Sequence, residues 1–216
     1  MRKFFLGFGV IAVSLCGGAA GAQAQETGYF EPGSVLARAR VAAVIPENFS
    51  SSVTLIGGHV EATTDYIPEV DLSYFFTPAL SVEAIAGTSR HEVSVHGSAL
   101  GAKAAVGSVW VLPPTVTLQY HKQYGAFIPY AGVGLTVMFF YDSHPDTAGG
   151  ITKAGYDTGV GPTLDAGFDY VISPTWVVNV DVKQMFVNTT AHVNGVITAK
   201  TALSPTVVAA GIGYKF

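Results

Sequence analysis

Over the last strand-like stretch, Val208, Ala210, Ile212, Tyr214 and Phe216 fall on one parity and Ala209, Gly211, Gly213 and Lys215 on the other. In an extended chain this sends large apolar groups to one face and small or charged groups to the opposite one. The division recurs upstream: Trp176, Val178, Val180 and Val182 oppose Asn179, Asp181 and Lys183, and Leu164, Ala166, Phe168 and Tyr170 oppose Asp165, Gly167 and Asp169. Val70, Leu72, Tyr74 and Phe76 likewise oppose Glu69, Asp71 and Ser73, while Arg38, Arg40 and Glu83 take the polar faces of their own segments. A soluble barrel would bury its apolar face and expose a charged one. Here the apolar face is continuous and aromatic, so the polar face is the interior.

Composition narrows the alternatives. Apolar residues make up 49% of the 216-residue chain and charged residues 12%, against about 25% charge in an average soluble domain. That excludes disorder, which needs low hydrophobicity and high charge. Pro, Gly, Asp, Asn or Lys interrupt every apolar region, so no stretch reaches the roughly 18 to 20 residues of a spanning helix. The remaining membrane solution that satisfies every backbone N–H and C=O is a closed β-barrel.

Period-two alternation predicts eight strands, near residues 34 to 46, 66 to 76, 80 to 90, 106 to 121, 127 to 141, 157 to 172, 176 to 187 and 205 to 216. Long connections alternate with short ones such as Thr77-Pro78-Ala79 and Ser173-Pro174-Thr175. Outer-membrane barrels have short periplasmic turns, long extracellular loops and an even strand count. The expected fold is therefore all-β, an eight-stranded antiparallel transmembrane barrel of the cell outer membrane. Met1-Arg2-Lys3, an apolar stretch from Phe4 to Leu15 and Ala22-Gln23-Ala24 form a secretory signal pattern. Residues 1–24 are the expected signal peptide and 25–216 the barrel. Its removal takes Arg2, Lys3 and the single cysteine, leaving 9 basic against 15 acidic residues, a net charge of −6 and no thiol. Disulfides and cysteine-ligated metals are excluded, and there is no basic footprint for nucleic acid.

The residues resemble the OmpW family of small outer-membrane barrels over nearly the whole mature chain. The resemblance is carried by Val44-Ile45-Pro46, Leu72-Ser73-Tyr74-Phe75-Phe76-Thr77, Val82-Glu83 followed by His91, and Leu112-Pro113-Pro114-Thr115-Val116-Thr117-Leu118-Gln119-Tyr120. It continues through Pro129-Tyr130-Ala131-Gly132-Val133-Gly134, Ala166-Gly167-Phe168-Asp169-Tyr170, Asn179-Val180-Asp181-Val182-Lys183 and Gly211-Ile212-Gly213-Tyr214-Lys215-Phe216. The double-proline segment is the specific part; the ending is shared by many barrels. The resemblance implies a barrel that passes or binds small apolar molecules, not a catalyst, and no cofactor. Expected partners are outer-membrane lipid and lipopolysaccharide, a small hydrophobic ligand and the outer-membrane assembly machinery.

An eight-stranded barrel is too narrow for a general aqueous pore. Strand direction places Arg38, Arg40, Glu83, Asp169 and Lys215 in the periplasmic half of the lumen and Glu69, Asp71, Asp165, Asp181 and Lys183 near its middle. Buried charges need partners, so a paired plug is expected there. Above it the inward residues are Ala42, Val44, Ile85, Met138, Phe140, Met185 and Val207, an apolar funnel suited to a hydrophobic ligand; the plainer alternative is that they merely fill a narrow barrel. Pro113 and Pro114 stand inside a predicted strand where neither can donate to a ladder. The expectation is an interruption or bulge, or a lateral gap through which a ligand leaves for the bilayer.

Other chemistry is weak. The histidines at 59, 91, 96, 121, 144 and 192 fall mainly in loops and lack metal-ligand spacing. Ser89 and His91 share a strand face, as a nucleophile and base would, but their parity points inward and no third member is recognisable. The functional expectation is a conduit or receptor for small hydrophobic molecules; the alternative is a structural or surface-interaction barrel whose loops bind host, phage or bacteriocin.

Overall fold

The computed structural model describes residues 28–216 apart from 47–49, 54–56, 99–100, 148–149 and 196; the expected signal peptide, residues 1–24, lies outside the described residues. Eight strands close the wall: β1 (Val35–Ile45), β4 (Asp65–Thr77), β5 (Leu80–Gly87), β8 (Thr115–His121), β9 (Phe127–Pro145), β11 (Gly159–Val171), β12 (Trp176–Met185) and β15 (Thr206–Lys215). They are antiparallel neighbours in that order, β9 pairing with both β8 and β11, and β15 returning to β1. Closure leaves no free edge in lipid.

The outward residues are those of the apolar parity. Val41, Leu118, Val133, Leu135 and Ile212 are at least half exposed. Tyr120, Phe127, Tyr170, Trp176 and Phe216 crowd the ends nearest the short turns, where aromatic girdles mark a membrane interface. Those turns are built locally. Thr77 Oγ1 accepts from the N–H groups of Ala79 and Leu80, and Ser173 Oγ from those of Thr175 and Trp176.

On the opposite side the wall extends past the membrane. β6 (Ser89–Ser98) continues β5, β7 (Gly101–Leu112) leads into β8, β13 (Val187–Val193) continues β12, and β14 (Ile197–Leu203) leads into β15. Three short strands, β2 (Ser50–Val53), β3 (His59–Ala62) and β10 (Ala154–Tyr156), join them. In the extension β7, β6 and β3 continue the barrel sheet from β9, and β10-β13-β14-β2 form a separate four-stranded sheet. Two of the long connections thus contain hairpins where the sequence predicts loops. The cause is visible in β6: His91, Val93 and Val95 point inward while Arg90 and Glu92 face out. This alternation is apolar inside and polar outside, as suits a strand in water.

The periplasmic end is capped by the segment before β1. Phe30 stacks on the inward Phe75 with ring centroids 3.9 Å apart. Gly33 N–H donates to Phe75 O at 2.8 Å, and Phe75 N–H to Ser34 O at 3.0 Å. Phe30, Leu36, Phe75, Ile128 and Val177 form a small buried apolar layer there.

Candidate functional site: a charged network beneath an apolar cavity

Adjacent inward positions of β1 carry Arg38 and Arg40, and the strand pairing sets acidic residues around them: Asp71 is the register partner of Arg38 and Glu69 that of Arg40. The Arg38 guanidinium bonds Asp169 through Nε at 3.0 Å and Nη2 at 2.8 Å, and Asp71 through Nη1 at 2.8 Å. Arg40 reaches Glu69 at 2.8 Å, Asp71 at 3.0 Å and Glu83 at 3.1 Å. Lys183 lies 2.7 Å from Asp181, 3.0 Å from Glu83 and 3.3 Å from Asp165.

All three cations are fully buried, and six carboxylates surround them. Neutral donors add further hydrogen bonds to four of these carboxylates. Gln119 donates to Glu83 and Asp165, Thr117 to Glu83, Asn179 to Asp169, and Tyr130 to Asp181. Gly167 sits where a Cβ would stand 2.6 Å from the Tyr130 hydroxyl oxygen and nearer still to Val180 O, so its missing side chain makes room for both the neighbouring strand and the phenol. Lys215 stands outside the network. Its Nζ donates to Tyr29 O at 2.8 Å and lies 4.1 Å from the Tyr29 ring centroid, tying the capping segment to β15.

Above the network on one wall sits a belt of buried hydroxyls. Thr115 and Thr136 are 2.7 Å apart through their Oγ1 atoms, Thr136 and Thr163 2.6 Å. Above the belt opens a cavity of about 260 Å³. Val44, Ile85, Met138, Phe140, Met185 and Val207 all line it; Ala42 is buried in the same apolar cluster. Sequence parity missed the upper lining, which includes Val60, Val93, Val106, Val109, Val111 and Tyr156. The period-two runs of β6 and β7 carried that signal. Phe140 and Tyr156 stack at 5.3 Å, and burial pushes the Tyr156 hydroxyl up to about 12, so it stays protonated.

Pro113 and Pro114 separate β7 from β8 without shifting register. Ile85 pairs with Thr115 and, beyond the gap, Ser89 pairs with Val111, which aligns Gly87 with Pro113. The break is thus an interruption and not a bulge; the register shifts recorded in the wall lie between Phe75 and Thr77, Val93 and Ser94, and Ser108 and Trp110. On the β9 side contact persists, with Val137 N–H donating to Pro114 O at 3.0 Å. At the seam Thr115 Oγ1 donates to Pro113 O, and just beyond it Thr88 Oγ1 donates to the O of Val111, where pairing with β6 has resumed. Gly87 and Pro113 both line the cavity beside Glu69, at its floor.

The histidines expected mainly in loops all lie in strands, because the strands run on past the membrane, and two of them, His91 and His121, are buried. His121 is buried above Phe75, 2.8 Å from Ser81 Oγ. His91 lines the cavity with Ser89, their Nε2 and Oγ atoms 2.9 Å apart. A third partner that the sequence pattern did not reveal is Thr63, whose carbonyl oxygen lies 2.6 Å from His91 Nδ1. Among the described residues no cluster of His, Cys, Asp and Glu is arranged to hold a metal ion.

A closed eight-stranded antiparallel wall, apolar outside and charged within, defines an outer-membrane β-barrel. The chain belongs to the OmpW family, whose model matches residues 31–216. It is 37% identical to the uncharacterized outer-membrane protein y4mB of Sinorhizobium fredii, over 83% of this chain and 78% of that protein. It is 30% identical to outer membrane protein W of Vibrio cholerae, over 86% and 90%. Among solved structures it is similar to the outer membrane protein OprG of Pseudomonas aeruginosa, with a TM-score of 0.77 at 27% identity, covering 86% of this chain and 97% of that one.

Proposed function

We propose that the barrel is a conduit or receptor for small hydrophobic molecules and not a catalyst. A ligand enters the apolar cavity from outside, is stopped by the charged network acting as a plug, and leaves sideways into the bilayer at the seam between Gly87 and Pro113. In this scheme residues 1–24 direct export, the assembly machinery inserts the barrel, and its outer face meets lipid and lipopolysaccharide.

The observation that carries this reading is the vertical order of the lumen: an apolar cavity, then a hydroxyl belt, then fully buried ion pairs, then an aromatic cap. Dragging an apolar molecule through paired charges would strip their partners at a cost of several kcal/mol. Lateral exit avoids that cost, and the ladder is interrupted where the cavity floor meets the wall.

Placing Asp at Val44, Phe140 or Met185 should impair uptake of hydrophobic compounds by cells while sparing adsorption of loop-directed phage or bacteriocin. Equal uptake by wild-type, substituted and barrel-free cells would favour a surface-interaction role.

A further inference from the structure

The cavity wall is apolar except for a few groups, and one of them is an ordered chain of three. Thr63 is fixed to β6 by its N–H donating to Glu92 O at 3.1 Å and by its Oγ1 accepting from Glu92 N–H at 3.0 Å. Its carbonyl oxygen is 2.6 Å from His91 Nδ1. A carbonyl oxygen can only accept, so Nδ1 carries the proton of the neutral ring and Nε2 is left as an acceptor. Ser89 Oγ, 2.9 Å from Nε2, must then donate its proton to the ring. The serine oxygen keeps its lone pairs and faces an apolar space, where an unmet acceptor is unfavourable.

We propose that Ser89, oriented by His91 and Thr63, is a hydroxyl-recognition subsite, and that the cavity takes apolar chains bearing one hydroxyl group in preference to plain hydrocarbons. The proposal rests on the hydrophobic-molecule reading above and names the ligand class. The ligand's O–H donates to Ser89 Oγ while its chain lies against Val93, Val109, Val111, Met138 and Phe140. A site built to bond a hydroxyl discriminates strongly against the analogue lacking it.

The test uses the intact barrel in lipid nanodiscs, with 1-decanol and decane displacing an environment-sensitive fluorophore and protein-free discs as the baseline. The wild-type preference for decanol over decane, corrected for lipid partitioning, should fall about tenfold in Ser89→Ala and His91→Phe. Decane binding should not change, and Ser89→Thr should keep the preference. Heat-dependent gel mobility shows that each variant is folded, and ring nitrogen shifts of the wild-type protein should place the His91 proton on Nδ1. Decane binding with the same decanol preference in wild type and folded Ser89→Ala would overturn the subsite and leave the cavity reading intact, as would a proton found on Nε2. Displacement no greater than in protein-free discs for either compound would overturn the cavity reading and the subsite with it.

Discussion

Gly87 lies opposite Pro113 across the seam between β5 and β8, one residue without a side chain facing one without an N–H, at the floor of the apolar cavity. The ladder resumes in register on either side, so the seam is a local loss of bonding in an otherwise aligned wall. This makes its strength adjustable by substitution without rearranging the barrel.

Replacing both Pro113 and Pro114 by Val or Thr should restore pairing, since β-branched residues suit a strand and supply the missing donor. Uptake of hydrophobic compounds should slow while the heat-dependent gel shift persists. A disulfide from Gly87→Cys with Pro113→Cys should block transfer until reductant is added; unchanged transport in fully crosslinked protein would remove this seam as the exit.

Arg38→Met or Lys183→Met leaves buried carboxylates without their cation and should lower stability by about 3–5 kcal/mol. Urea-unfolding midpoints in lipid vesicles measure this, and wild-type midpoints in both variants would contradict the pairing.

Tyr130 and Gly167 should behave as one unit. Gly167→Ala places a Cβ 2.6–2.7 Å from the hydroxyl oxygen and Cζ of Tyr130 and nearer still to Val180 O, so both the β12 backbone and the phenol that donates to Asp181 at 2.7 Å must shift, at a cost of about 1–3 kcal/mol. Adding Gly167→Ala to Tyr130→Leu, which removes the ring end and leaves only the Val180 O contact, should cost less than adding it to wild type, a non-additivity that a double-mutant cycle reads directly. Additive losses would mean the close approach does not serve the hydrogen bond.

Phe30→Ala removes the ring stacked on Phe75 and should destabilise the barrel by about 3 kcal/mol, without making vesicles permeable to small ions, because the charged network above it remains. Ion leakage through this variant would show that the cap, not the network, closes the lumen.

The wall was legible because lipid outside and charge inside give each strand a period-two contrast in large residues, as in β4, β12 and β15. The hairpins β6–β7 and β13–β14 were not, because above the membrane the outward positions turn polar and the contrast that marks a spanning strand reverses. Parity brings Val44, Ile85, Met138, Phe140, Met185 and Val207 to one face, but it cannot say what meets across a lumen. Partners follow from register: Lys215 is on an inward face yet pairs with Tyr29 of the capping segment, and Thr115, Thr136 and Thr163 become a belt only when β8, β9 and β11 are aligned. The carbonyl of Thr63 has no sequence signature, since any residue offers one.

The most direct measurement is the position of a bound hydrophobic molecule. With methionine methyls labelled in the nanodisc-embedded barrel, intermolecular NMR contacts from decane should appear at Met138 and Met185, which line the cavity, and should disappear in Phe140→Asp. Contacts confined to outward residues such as Leu118 and Leu135, with none at the two methionines, would contradict the account.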